Sequence, residues 1–223
     1  MKIVIAGGHG QIALFLGRQL VEAGHEVVGI IRKADQAQAL EAIGVTPAVL
    51  DLEKASEDEV GRVLADANVA VFAAGAGPGS GEKRKDTVDH QASVLLANAA
   101  ELVGVPRFIQ ISAMGVDGVR DGKRPDGVDD VFYAYLVAKL AAEDDLLRRD
   151  FQWTILRPGG LTNDQGTGEI RLGVPNIGRG TIPREDVAST IAAMITEGRG
   201  NQQILDVLSG DVPIADAVAE LSN

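Results

Sequence analysis

Met1-Lys2-Ile3-Val4-Ile5-Ala6-Gly7-Gly8-His9-Gly10-Gln11-Ile12-Ala13 is the stretch whose reading decides the fold. An apolar run of strand character ends in a glycine-rich turn, and a helical pattern follows at once. Glycine at position 7 permits a tight turn, and glycine at position 10 lets a pyrophosphate reach the backbone. The N-terminus of the following helix then offers unpaired N–H groups and a partial positive charge. Ala13 stands where a third glycine is common and is small enough for helix–strand packing. A nucleoside-triphosphate loop would close on Gly-Lys-Ser/Thr, whereas this turn closes on Gly10-Gln11-Ile12. The turn therefore reads as a dinucleotide site with Gly7, His9, Gly10, Gln11 and Ile12 as candidate contacts. For His9 an ordinary exposed loop histidine is an equal reading.

Outward from this turn, short apolar runs alternate with amphipathic stretches, the pattern of a parallel sheet covered by helices on both faces. Strands are predicted at residues 2–6, 26–31, 46–50, 69–73, 107–111, 153–156 and 203–208. Helices are predicted at about residues 10–23, 34–42, 56–66, 84–103, 131–149 and 185–197, with a short C-terminal one. In residues 84–103, Val88, Ala92, Leu95, Leu96, Ala99 and Val103 mark one stripe to be buried. Gly24 and Gly104 sit where helix C-termini favour a left-handed residue. The fold class is thus α/β, a doubly wound parallel sheet of order 3-2-1-4-5-6 with a seventh strand. The expected organisation is one domain over residues 1–223, with residues about 157–182 and 200–223 forming a small substrate lobe. Residues 75–81, 115–130 and 159–180 read as long loops after strand ends, where open α/β sheets build ligand sites. The first and third suit a ligand cover. The second reads equally as surface without fixed structure.

Composition narrows the function. With 45% hydrophobic and 24% charged residues the balance is that of a folded cytoplasmic protein. A net charge of −11 opposes nucleic-acid binding, which needs a basic face to neutralise phosphates. No run approaches the length of a membrane span, so no membrane partner is expected. The chain has no cysteine, and its three histidines are scattered, so no metal is expected. A small-molecule substrate is the expected partner, for a monomer or small homo-oligomer.

The cofactor's 2′ position is read at the end of the second strand, where an NAD-selective protein tends to place an acid. Here residues 26–31 run into Arg32-Lys33, with no acid until Asp35. Arg32 suits a 2′-phosphate, because a guanidinium makes paired, charge-assisted bonds to phosphate oxygens. NADP(H) is therefore expected over NAD(H). A second basic run, Lys83-Arg84-Lys85, opens a helix, where cations oppose the macrodipole. It reads as an anion contact or, more simply, as a solvated turn.

Six stretches together resemble one family, the atypical short-chain dehydrogenase/reductases, near their NmrA-like and NAD-dependent epimerase/dehydratase-like subgroups. They are the glycine turn, Asp51-Leu52, Phe72-Ala73-Ala74-Gly75, Tyr135-Leu136-Val137-Ala138-Lys139, Leu156-Arg157-Pro158-Gly159 and Pro183-Arg184-Glu185-Asp186-Val187-Ala188. The resemblance implies that Asp51 bonds the adenine amino group and Leu52 flanks the ring. It implies that Ala73, Ala74 and Gly75 leave room for the cofactor, and that Pro158 sits beside the nicotinamide. Tyr135 would be the proton donor or acceptor, and Lys139 would bond the nicotinamide ribose. At i and i+4 on one helix these two share a face, and the ammonium is expected to favour tyrosinate. The family's upstream hydroxyl corresponds most nearly to Ser112, although extended relatives place it one residue later, where Ala113 stands. A one-residue shift decides whether Ser112 faces the core or the site. The leading reading is an NADP(H)-dependent oxidoreductase of a small carbonyl or hydroxyl substrate. The alternatives are a non-enzymatic NADP(H) sensor, an epimerase/dehydratase that recycles its cofactor, and a flavin-type reductase.

Overall fold

Strand β1 (Lys2–Ala6) lies inside the sheet, paired in parallel with β2 (Glu26–Ile31) on one side and β4 (Val69–Phe72) on the other. The computed structural model describes residues 1–77 and 79–222; Pro78, within the loop predicted at 75–81, and Asn223, the last residue of the expected lobe, lie outside the described residues. Beyond β2 comes β3 (Thr46–Val49), and beyond β4 come β5 (Arg107–Ile111), β6 (Gln152–Pro158) and β10 (Gln203–Ser209), all parallel. This is the predicted 3-2-1-4-5-6 order with its seventh strand. Register aligns Ala6, Ile30, Phe72, Ile111 and Leu156 towards one edge, so every βα turn opens on the same side of the sheet.

Side chains alternate across the sheet. Ile3, Ile5, Val71, Ile109 and Leu156 point to one face, covered by α1 (Gln11–Glu22) and α7 (Arg184–Glu197). Val4, Ala6, Phe72, Phe108 and Ile155 point to the other, covered by α3 (Glu57–Leu64) and α5 (Ala92–Val103), with α6 (Asp130–Leu146) beside them. The shorter helices are α2 (Ala37–Glu41), α4 (Glu82–Arg84) and α8 (Ile214–Ala219). Helix starts follow local chemistry. Ser56 and Glu59 close a capping box on α3, and the Asp129 carboxylate accepts from the Phe132 N–H at the start of α6. Gly24 and Gly104 adopt the left-handed conformation expected of them.

Two expectations need correction. The helix predicted at 84–103 is not continuous α-helix: Lys85–Gln91 is π-helical and α5 begins only at Ala92. The wider turn shifts the phase of the residues beyond it. Val88, Ala92, Leu96 and Ala99 are buried as expected, but Val103 is 38% exposed, while Ser93, Ala97 and Ala100 are buried in its stead. Residues 159–180 are also not simply loop. β7 (Gly160–Thr162) pairs with β9 (Thr181–Pro183) apart from the main sheet. β8 (Glu169–Gly173) instead joins the main sheet antiparallel to β10, and β11 (Val212–Pro213) pairs with β8 at the edge. The segment predicted at 115–130 holds short 3-10 turns within Val116–Gly122, broken by a kink at Arg120 and Asp121, and its Val116 and Val119 are buried against Leu136 and Leu140. Among the described residues no helix is long and apolar enough to cross a membrane.

Candidate functional site

At the crevice between β1 and β4, where the strand order reverses, lies a cleft of about 300 Å³. Open α/β sheets bind ligands at this switch point, beyond the carboxyl ends of the strands. Gly7, at φ +80°, turns the chain there, and a Cβ on it would fall 2.6 Å from the Ala74 Cα. Its carbonyl accepts from the Gly10 N–H at 2.8 Å, which folds the turn back under α1. The first turn of α1 has neither a side-chain cap nor an acidic residue, so its N–H groups and dipole remain available to an anion.

Of the residues singled out for a cofactor, Gly7, His9, Gly10, Arg32, Asp51, Leu52, Ala73, Ala74 and Gly75 line this cleft. Gln11, Ile12, Lys139 and Pro158 do not. Gln11 opens α1 at the surface, and Ile12 packs against the core beneath it. Pro158 ends β6 opposite Val207, buried, and its carbonyl accepts from the Met114 N–H at 3.0 Å. Asp51 spends part of its acceptor capacity locally, on the Glu53 N–H at 3.2 Å and the Lys54 ammonium at 3.1 Å.

Two wall residues escape the sequence pattern. Glu53, just beyond β3, lies in the cleft wall with Arg32 at 3.6 Å and Arg84 at 2.9 Å, and accepts from the Thr87 hydroxyl at 2.7 Å. These bonds hold its carboxyl below the usual carboxylate range, the Arg84 hydrogen bond above all. Arg84 belongs to the basic run whose simpler reading was a solvated turn. The structure corrects that reading for two of its three members: Arg84 lines the cleft, and Lys85 is buried, with only Lys83 exposed. The signal was the run itself; Arg84 closes α4 and Lys85 opens the π-helical turn that follows.

Behind Gly75 the cleft meets a buried polar cluster. Asp89 accepts from the Ala76 N–H at 3.1 Å and forms an ion pair with Lys139 at 3.3 Å. Lys139 also donates to the Ile111 carbonyl at 3.0 Å, and both side chains of the pair are almost completely buried. Lys85 donates to the Gly77 carbonyl at 3.0 Å. The Tyr135 ring is flanked by both ammoniums, Lys85 at 5.4 Å and Lys139 at 5.9 Å from its centre. Tyr135 and Lys139 thus share a face, but the expected tyrosinate is not favoured. Burial pushes the phenol well above its ordinary value, and the Asp89 charge pushes it further. The physical reason is that Asp89 matches the Lys139 charge, so desolvation prevails. Ser112 shares the sheet face of Phe108 and Gln110; it is buried, and its hydroxyl has no hydrogen-bond partner among the described residues.

The remaining motifs also make contacts that hold the fold. Arg157 is buried between Glu143, at 2.9 Å, and Asp117, at 2.6 Å, tying β6 to α6 and to the segment after β5. Asp186 accepts from the Thr167 N–H at 3.0 Å and the Gly168 N–H at 2.9 Å, and Glu185 accepts from the Gly166 N–H at 3.0 Å. The start of α7 therefore fixes the approach to β8.

Comparison with known proteins agrees with this geometry. Residues 7–198 match the model of a family described as NAD(P)H-binding. The chain is 31% identical to a Bacillus subtilis protein named "Uncharacterized sugar epimerase YhfK", over 99% of this chain and 100% of the relative. A solved Bacillus halodurans structure titled "Putative NAD-dependent epimerase/dehydratase" superposes with a TM-score of 0.88 at 32% identity, covering 99% of this chain and 100% of that one. The oxidoreductase ylbE of Lactococcus lactis shares the fold, with a TM-score of 0.84 at 24% identity over 99% of this chain and 96% of that one.

Proposed function

The chain belongs to the NAD(P)H-binding family, with the Rossmann fold of the short-chain dehydrogenase/reductase type, and from that premise we propose that it is an NADP(H)-dependent oxidoreductase of a small carbonyl or hydroxyl substrate. The observation that carries the cofactor reading is the cleft wall, where the glycine turn, Asp51-Leu52 and Arg32 line one continuous hollow. The Gly7–Gly10 turn and the start of α1 would hold the pyrophosphate, and Asp51 and Leu52 the adenine. The end of β2 contributes Arg32 to the lining and no carboxylate. Glu53 does approach, but its charge is matched by two guanidiniums.

A bound nicotinamide would supply the hydride. Tyr135, held protonated by its burial, would give its proton to the substrate's carbonyl oxygen and be reprotonated from solvent. Lys139 donates to the Ile111 carbonyl and is ion-paired with Asp89, and a remaining N–H would be the donor to a ribose hydroxyl. Ser112 brings an unmatched hydroxyl to the same sheet face and assists in orienting the carbonyl.

Two substitutions test the cofactor site. Arg32→Asp is expected to erase or invert a preference for NADPH over NADH of at least about tenfold, one charged hydrogen bond being worth roughly 1.5–3 kcal/mol. Melting shifts with each cofactor measure it, and equal affinities in the unmodified protein would sink the NADP assignment. Gly10→Val is expected to abolish dinucleotide binding while the domain still folds. Gly10 has an ordinary φ of −65°, and a Cβ there would lie 3.2 Å from the Gly7 carbonyl, which a small shift accommodates. The branched methyls would instead fill the pyrophosphate's approach. Normal NADPH affinity in that variant, with a native circular dichroism spectrum, would make the turn structural only.

A second reading, an epimerase/dehydratase that keeps and recycles its cofactor, is favoured by the names of the Bacillus subtilis and Bacillus halodurans relatives. Net oxidation of NADPH by a carbonyl panel separates the two, since recycling leaves the cofactor unchanged.

A further inference from the structure

We infer that Arg84 is a second specificity-determining residue for the cofactor's 2′-phosphate, acting beside Arg32; the inference rests on the NADP(H) reading of the cleft. Two cations that are far apart in the chain converge on one atom, the Glu53 Oε2, with Arg84 at 2.9 Å and Arg32 at 3.6 Å. Both line the cleft at its adenosine end, together with Gln36, Asp51 and Leu52. Glu53 is itself tethered by the Thr87 hydroxyl, which sits less than one turn beyond Arg84. The carboxylate therefore holds both guanidiniums facing the same hollow. An anion with three oxygens can engage both of them, while a carboxylate already shared between them satisfies neither fully.

Charge supports the same assignment. Asp51, the wall's other carboxylate, is paired with the exposed Lys54, so two guanidiniums share Glu53 as their ion-pair partner. A neutral ribose hydroxyl makes no use of two cations sharing one partner, whereas a phosphate dianion does. Both arginine side chains are about two-fifths exposed, at 44% and 39%, which leaves them able to adjust to a ligand and screens each one's contribution. The effect of each is therefore moderate, and the pair shares the discrimination.

Calorimetric titration of the full chain with adenosine 2′,5′-bisphosphate and with 5′-AMP isolates the 2′-phosphate from the nicotinamide half. The unmodified protein is expected to bind the bisphosphate at least about tenfold more tightly. Arg84→Met is expected to lower that ratio by about fivefold to tenfold with 5′-AMP affinity nearly unchanged, and Arg84→Lys to lower it less. An unchanged ratio in Arg84→Met overturns the inference, and collapse of the ratio in Arg32→Met would then leave the NADP(H) reading standing. Equal weakening of both probes in Arg84→Met also overturns it, by placing Arg84 on the adenosine instead. No discrimination in the unmodified protein overturns the NADP(H) reading itself.

Discussion

Tyr135→Phe is expected to lower turnover of a carbonyl substrate by about 100-fold or more, the scale of losing a positioned proton donor, or roughly 2.7 kcal/mol in the barrier. The substitution removes one hydroxyl. The ring keeps its stacking on Phe132 at 5.7 Å and its place between the Lys85 and Lys139 ammoniums, so NADPH affinity should change little. Steady-state turnover alongside a binding titration separates the two effects, and full activity in the variant would refute the proton-donor role while leaving the cofactor cleft untouched. Lys139→Met makes a poorer probe, because it strands the buried Asp89 carboxylate without its partner and damages folding as well as binding. The pH dependence carries the same logic. A phenol raised from an ordinary value of 10.0 stays protonated through neutral and mildly alkaline pH, so reduction should lose its donor only above about pH 10. Loss of the donor limb centred near about pH 7 would point to a different acid.

Glu143→Ala is expected to destabilise the fold by about 3–5 kcal/mol, read as a lowered midpoint in urea. Glu143 is fully buried and Arg157 nearly so, and removing the carboxylate leaves a guanidinium inside the protein with only Asp117 to meet it. Asp117→Ala should do much less harm, since that side chain is 55% exposed and water replaces much of what it supplies. Joint replacement, Glu143→Leu with Arg157→Met, should recover most of the loss, because an apolar pair carries no desolvation penalty. If Glu143→Ala proves no worse than Asp117→Ala, the buried pair is not what clamps α6 to β6. The consequence reaches the site, because Glu143 lies one helical turn beyond Lys139 on α6, and the clamp sets where that helix stands.

The parts of the protein legible in its sequence are those governed by neighbours along the chain. Period-2 and period-3.6 patterns located the seven parallel strands within a few residues, because the inner strands bury both faces under helices and so read as short apolar runs. The glycine turn was equally legible, since a left-handed residue at position 7 and a close backbone approach leave few residue types possible. Arg32 was legible from its place after the second strand, and Asp51 and Ala73–Gly75 from the family resemblance; parallel strands in register bring these ends to one edge. The antiparallel β8 was not legible. It is short, lies at the margin of the sheet, and owes its pairing to β10, more than thirty residues further on.

Tertiary structure alone decided the finer chemistry. Nothing near Glu53 in the chain signals that Arg32 and Arg84 will meet on it, for that depends on where β2, β3 and the segment after β4 bring their ends. The π-helical turn at Lys85–Gln91 is invisible to a periodicity count, yet it faces Asp89 towards Lys139. That ion pair reverses what the Tyr135–Lys139 spacing suggested. A lone ammonium beside a phenol favours its ionisation, but an ammonium already matched by a buried carboxylate does not, and desolvation then holds the proton on. Spacing along a helix determined that the two side chains would be neighbours. The third charge, brought by another element of the fold, determined which protonation state that neighbourhood supports.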